Sequence, residues 1–447
     1  MNRQFRVVSV FLVSLVLTAG NFSFIPRTSA DGPAAIPEVM NPNDPYRNAA
    51  IGEQYHEGEG LFIINQKENS GGGANFPDLE VLVVGTGVDS NHPDLAQSCL
   101  PSEFQDFTDQ HTPLLDPDGH ETQMAGAIAA VTDNGIGVSS INLQGHSRVK
   151  VISGKVFVPD PSQQSGFRAN SSWVRAAYQY AINRRRAGYN LRIVNFSGYT
   201  ADDRPDLTMA LLSQMSELGI VLVVHAGNHN PGVNLDQTPG DQQPASYGSM
   251  NSFLVVTVAG LDESGLELHV ASNWGPNTVS VAMPCVNIIS TTLNGAYSSG
   301  SGTSLAAALF SKVLAAELLY GPETDSDRAV RQVLASCRDK GLSGKIKPDG
   351  GVPQMDVALG TSLVPPDPPA IEIASADWNG AKKLFLSGHG FTDNPQVFIN
   401  GSDKSGGIKS ASDKKIKIKT GLGLVPGNNV ISVLSQKGSA SFTLNVP

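Results

Sequence analysis

Little of this 447-residue chain is charged: Asp, Glu, Lys and Arg make up 16% of it, and the formal net charge is −10. That acidic balance argues against nucleic acid as the main partner, because phosphate backbones are bound by clustered Lys and Arg. Cysteine is scarcer still. Cys99, Cys285 and Cys337 are the three present, an odd number that leaves at least one thiol over, and the sequence does not choose a pair. Taken singly, each is best read as a buried, unreactive thiol. Beyond residue 20 no apolar stretch is long enough to cross a bilayer, which speaks against a membrane span in the body of the chain.

The one long apolar run is N-terminal. Arg3 and Arg6 precede residues 7–20, and a polar stretch then ends in Ser29 and Ala30. This is the layout of a secretory signal peptide over 1–30, cleaved after Ala30. A membrane anchor would need a longer apolar core, and no cysteine follows for a lipid. An exported protein is therefore expected, whether secreted, periplasmic or at the cell surface.

After the leader, residues 31–78 form a lead-in rich in Pro, Gly and Asn, with a flexible stretch over 69–76. From 78 to about 360, apolar runs alternate with helical spacing. Strands are expected at 80–85, 149–157, 191–197, 220–227 and 252–260, and helices at 171–188, 206–219, 304–321 and 327–341. Continuous Val/Ile/Leu runs suit parallel strands covered on both faces, and strand–helix alternation implies crossovers. The fold class is α/β, a doubly wound and mostly parallel sheet with helices on both faces. The Pro-rich linker VPPDPP (364–369) ends this region. Short alternating runs at 382–391, 396–401, 414–420, 428–435 and 439–446 then predict a small β-sandwich. From residue 368 on, nine lysines face five acids, so the acidic excess lies in the larger region.

Four segments carry chemistry: VLVVGTGVDSNHPDL (81–95), DGHETQMAGAIAA (118–130), VLVVHAGN (221–228) and SGTSLAAALF (301–310). Alone, each key residue has an ordinary explanation. Ser304 at a helix start suits an N-cap, His120 a surface or capping position, and Asn228 a turn after a buried strand. In this order and spacing the segments resemble the subtilisin-like serine peptidases. The resemblance implies Ser304 as nucleophile in GTSxAA, His120 as general base, and Asn228 as oxyanion donor. It implies that Ser197, Gly198 and Tyr199, in NFSGY, line a cleft that takes an extended polypeptide. It implies no cofactor for catalysis, and a structural Ca²⁺ near Asp94 and Asn134 in the 132–138 loop.

The departures matter as much as the matches. The triad acid of the family normally sits in Asp-Thr-Gly, and here Gly85 stands in its place. Glu121 replaces a Gly beside the base, Gln123 a second His, Ala308 a Pro, and Gly198 and Tyr199 alter the cleft wall. Asp89 belongs to the following turn and does not reach. Glu121, or a water in the space left by Gly85, is the candidate substitute for the acid. Against direct contact stands the rule that adjacent helix residues point in different directions. PNDPY (42–46) resembles the start of the catalytic domain, which leaves no room for the family's usual inhibitory prodomain. Two functions follow as expectations: an exported endopeptidase of strongly reduced rate, or a pseudoprotease that binds an extended peptide by strand addition. The run LFLSGHGFTDNPQVFING resembles the immunoglobulin-like IPT/TIG modules, which implies a sandwich over 370–447 that contacts protein or cell surface.

Overall fold

Runs of Val, Ile and Leu build the centre of the molecule, as their burial on both faces requires. Strands β1 (Leu79–Gly85), β2 (Gln105–Asp106), β3 (Val149–Lys155), β4 (Leu191–Phe196), β5 (Val221–His225), β6 (Val255–Leu261) and β7 (Val281–Pro284) form one sheet. Its order is β7-β6-β5-β4-β1-β3-β2, and every pairing is parallel. In this computed structural model the described residues are 42–46, 52–72, 77–363 and 372–446. Short breaks fall at 164–165, 201–203, 238–242, 251, 339–340, 361–362, 379–382, 390, 392–394, 401, 413, 420–421 and 436–437. The expected signal peptide and the Pro-rich linker lie outside these residues.

Six helices matter here: α1 (Glu57–Lys67), α2 (His120–Ala129), α3 (Ser171–Arg186), α4 (Pro205–Glu217), α5 (Thr303–Tyr320) and α6 (Ser326–Ala335). Side-chain alternation assigns them to faces of the sheet. Glu80 of β1 takes Arg184 of α3 in a two-point ion pair at 2.6 and 2.7 Å. Val83, on the opposite face of β1, is in register with Asn195 of β4, whose amide reaches Ser311 of α5 at 3.0 Å. Helices α3 and α5 therefore cover opposite faces. Every residue of α5 is buried, which explains an apolar composition all round its axis. Among the described residues it is the one helix long and apolar enough to cross a membrane.

The expected strands and helices are present, with α6 ending at Ala335 rather than near 341. Strands β2 and β7 went unpredicted, as did the hairpin β8 (Ile288–Thr292) and β9 (Ala296–Gly300). The lead-in holds a helix that its composition concealed. Gly58 and Gly60 weaken the helical signal of α1, but Gly60 lets the helix close on Met355. Glu57 of α1 also pairs with the buried Lys312 of α5. Further upstream, the Asp44 carboxylate accepts backbone N–H bonds from Asp133, Asn134 and Gly135.

The C-terminal region has two four-stranded antiparallel sheets. Ile373, Leu384, Leu386, Ile416 and Ile418 of one sheet share a core with Val397, Ile399, Ile431 and Val433 of the other. Strands Glu372–Trp378 and Ile408–Ser412 add to those predicted. All three cysteines are unpaired. Burial raises the thiol pKa of Cys99 and Cys285 to about 12, in line with inert core residues.

Candidate active site

The candidate residues meet at the carboxyl edge of the parallel sheet, where open α/β folds place their sites. Gly85 ends β1, Ser197 follows β4, His225 ends β5 and Asn228 lies three residues on. Two helices start at the same edge. His120 is the first residue of α2, Ser304 is the second of α5, and the two helices pack on each other.

The start of α2 is tightly built. Gly119 has φ 89°, a left-handed conformation that glycine adopts without strain. The buried Asp116 carboxylate accepts from the N–H groups of Asp118 and Gly119 through Oδ1, and from Thr122 N–H and Oγ1–H through Oδ2. The loop before it is held by the buried Lys155, whose Nζ donates to Thr112 Oγ1 at 2.9 Å and Leu115 O at 3.3 Å.

His120 Nδ1 lies 2.7 Å from Glu121 Oε1. The other carboxylate oxygen of Glu121, Oε2, accepts from Thr86 N–H at 2.7 Å and lies 2.7 Å from Thr86 Oγ1, whose single hydrogen it shares with Asp116 Oδ1 at 2.9 Å. Glu121 is buried, its side chain 3% exposed, while the His120 side chain is 33% exposed. A Cβ built on Gly85 would fall on the Glu121 carboxylate, far inside contact distance. The space vacated at residue 85 is thus filled by the carboxylate of residue 121. The rule against contact between neighbouring helix residues fails here for a physical reason. These are the first two residues of the helix, side chains lean toward the N-terminus, and Glu has enough torsions to fold back beneath the ring.

The electrostatics follow. Burial alone would lower the His120 pKa, but the Glu121 carboxylate, backed by Asp118 and Asp116, outweighs it and lifts the value to about 9. Glu121 moves the other way. Burial opposes its ionisation, yet His120 and the two Thr86 donors hold its pKa below the ordinary carboxylate value. With Nδ1–H donated to Glu121, the lone pair of the ring lies on Nε2, as a general base needs.

Ser304 does not cap its helix. That position belongs to Gly302, so the hydroxyl is free of backbone capping. It donates to Ser197 O at 3.4 Å, and no hydrogen bond joins it to His120. Such bonds are often loose before substrate arrives. Asn228 is exposed and oriented: its Oδ1 accepts from Thr303 N–H and Thr303 Oγ1–H, both at 2.9 Å. The amide Nδ2 is left to donate outward. The Ser304 N–H, among the first of its helix, has no intrahelical partner and is a second donor to the same space.

Residues 78–349 match the subtilase family. This chain belongs to that family. It is 29% identical to the major intracellular serine protease of Bacillus subtilis, over 60% of this chain and 76% of that protein. It is 30% identical to a thermostable alkaline protease of Halalkalibacterium halodurans, over 55% of this chain and 58% of that protein. Subtilisin amylosacchariticus of Bacillus subtilis subsp. amylosacchariticus is 29% identical, over 51% of this chain and 52% of that protein.

Other positions of this subtilase are less uniform. Gln123 turns from the base and donates to Ser298 O at 3.2 Å. Of the three expected cleft residues, Ser197 is buried, its hydroxyl 3.2 Å from Ser304 O. Gly198 packs against the Phe157 ring, and Tyr199 is 59% exposed. The two residues expected at a calcium site, Asp94 and Asn134, adjoin. Asp94 accepts from Asn134 Nδ2 at 2.8 Å, Val138 N–H at 3.0 Å and Tyr297 O–H at 3.4 Å, while Asn134 Oδ1 accepts from Ile136 N–H. Sequence reasoning missed Thr86, Asp116, Thr303 and His225. Only His225 left a trace, as a titratable residue closing an apolar run.

Proposed function

We propose that this subtilase is an exported serine endopeptidase whose triad is Ser304, His120 and Glu121, the acid supplied by the residue beside the base. The observation that carries this reading is the Glu121 carboxylate 2.7 Å from His120 Nδ1, in the volume opened by Gly85. Ser304 Oγ rotates from Ser197 towards His120 and attacks the scissile carbonyl carbon of a bound polypeptide. Its proton passes to His120 Nε2, and Glu121 stabilises the imidazolium. Asn228 Nδ2 and the Ser304 N–H hold the oxyanion. Collapse breaks the C–N bond as His120 returns the proton to the leaving amine. A water, deprotonated by the same base, then releases the acyl group. The alternative, a pseudoprotease that binds an extended peptide, draws on Gly85, and the Glu121 carboxylate beside His120 weighs against it. The C-terminal sheets are read as an immunoglobulin-like module of the IPT/TIG kind that engages protein or cell surface.

A fluorophosphonate probe tests the reading. We expect labelling of Ser304 in the wild-type chain, loss in Ser304→Ala, and strong slowing in Glu121→Gln. Absence of labelling in the wild-type chain refutes the peptidase.

A further inference from the structure

His225 ends β5 with its side chain on the α5 face of the sheet, beside the site but outside the triad. It is 7% exposed, and its Nδ1 lies 3.2 Å from Thr303 Oγ1. Thr303 is the hub that orients Asn228, and its hydroxyl has one hydrogen for several neighbours. The Gly227 N–H donates to Thr303 Oγ1 at 3.2 Å. Asn228 Oδ1 needs the hydroxyl hydrogen, and His225 Nδ1 competes for it or supplies its own, according to tautomer. A ring that donates from Nδ1 leaves the Thr303 hydrogen for Asn228 and holds the outward amide.

We propose that His225 is a positioning residue for the oxyanion site, acting through Thr303 on the Asn228 amide. The proposal rests on the peptidase reading above. Burial, and then the charge of His120, push its pKa down to about 4, so the ring is neutral where the enzyme works and does not compete as a base. Because Thr303 N–H also holds Asn228 Oδ1, the loss of His225 loosens the amide without releasing it. The effect is therefore smaller than removal of Asn228, which by analogy costs about 10²–10³ in kcat.

A double-mutant cycle on peptide amide hydrolysis tests this. His225→Leu keeps the bulk and removes the nitrogens, and His225→Asn restores a donor near the position of Nδ1. We expect kcat to fall about ten-fold in His225→Leu with KM little changed, and to recover in large part in His225→Asn. In the Asn228→Ala background, His225→Leu should have no further effect. An equal loss in both backgrounds, or no recovery with Asn, overturns the positioning role while leaving the peptidase intact. Absence of hydrolysis by the wild-type chain overturns both. Thermal melts of each variant separate misfolding from a loss of positioning, and a peptide aldehyde adds a second readout. Its tetrahedral adduct should bind more weakly to His225→Leu, while a non-reactive peptide of the same sequence binds as to wild type.

Discussion

Glu121→Gln is the sharpest perturbation of this site, because the structure dictates how the new amide must turn. Glu121 Oε2 faces two donors on Thr86, and one of them, the backbone N–H at 2.7 Å, cannot rotate away. The oxygen of the substituted amide must take that side, since an NH₂ group there would set donor against donor. The NH₂ group is then left facing His120 Nδ1, now as a donor in place of the acceptor at 2.7 Å. His120 can meet it only by giving up the Nδ1 proton and carrying its hydrogen on Nε2, which faces the nucleophile. A base in that tautomer cannot accept the Ser304 proton. The equivalent carboxylate-to-amide change in a Ser–His–Asp triad leaves the geometry intact and lowers kcat by about 10⁴. We expect a similar loss, about 5 kcal/mol of barrier. The assay is kcat/KM on a peptide amide, with a thermal melt to show that the fold survives. Activity within ten-fold of wild type would refute the reasoning, because a passive Glu121 would tolerate the swap.

Further outcomes follow from the same geometry. Gly85→Ala should abolish activity as thoroughly as loss of the acid, because its methyl group displaces the Glu121 carboxylate; Gly85→Asp alone should do no better, whereas Gly85→Asp with Glu121→Gly should recover activity in the same peptide assay. The wild-type pH–rate profile should rise towards about pH 9, where His120 loses its proton, and shift to lower pH in Glu121→Ala as burial comes to dominate. Stability should run the other way: a raised histidine pKa contributes below its unfolded value of about 6.5 and is lost as pH rises through about 9, measurable as a falling melting temperature. Glu57→Ala should cost about 3–5 kcal/mol in denaturant unfolding by leaving Lys312 buried and uncompensated, whereas Lys312→Met with Glu57→Gln should be close to neutral.

The framework was readable in the chain because burial on both sheet faces leaves an unmistakable mark, as in VLVVH before Asn228. What escaped was short or set by remote partners. Val281–Pro284 is a four-residue strand ending in proline, too brief for periodicity. Thr303 and Thr86 look like any helix-start or turn threonine until their acceptors, Asn228 and Glu121, are in place. Asp94, read locally with Asn134, also meets the hydroxyl of Tyr297, some two hundred residues away, at 3.4 Å. Glu121 escapes a rule derived from helix interiors. His120 and Glu121 are the first two residues of the helix, where the carboxylate meets the end of β1 and has no preceding turn to block it.

The triad chemistry asks only that a carboxylate meet Nδ1 of the base in a dry, hydrogen-bonded setting. It does not ask which element delivers it. In this chain a carboxylate meets Nδ1 from the helix, and on the proposed reading Gly85 and Glu121 are the two halves of one arrangement. Either half alone fails. Glycine at 85 without a carboxylate at 121 leaves the imidazolium unsupported, and Glu121 with any side chain at 85 has no room. A carboxylate from the helix also sits one residue from its base, so its position depends on the helix start: on Gly119, the Asp116 cap and the two Thr86 donors. These contacts do for Glu121 what attachment to a rigid strand does for an acid at residue 85. Asp116→Asn removes the charge from that cap and one of the charges that raise the His120 pKa, without contacting His120 or Ser304; it should therefore weaken catalysis through kcat and move the pH–rate profile to lower pH.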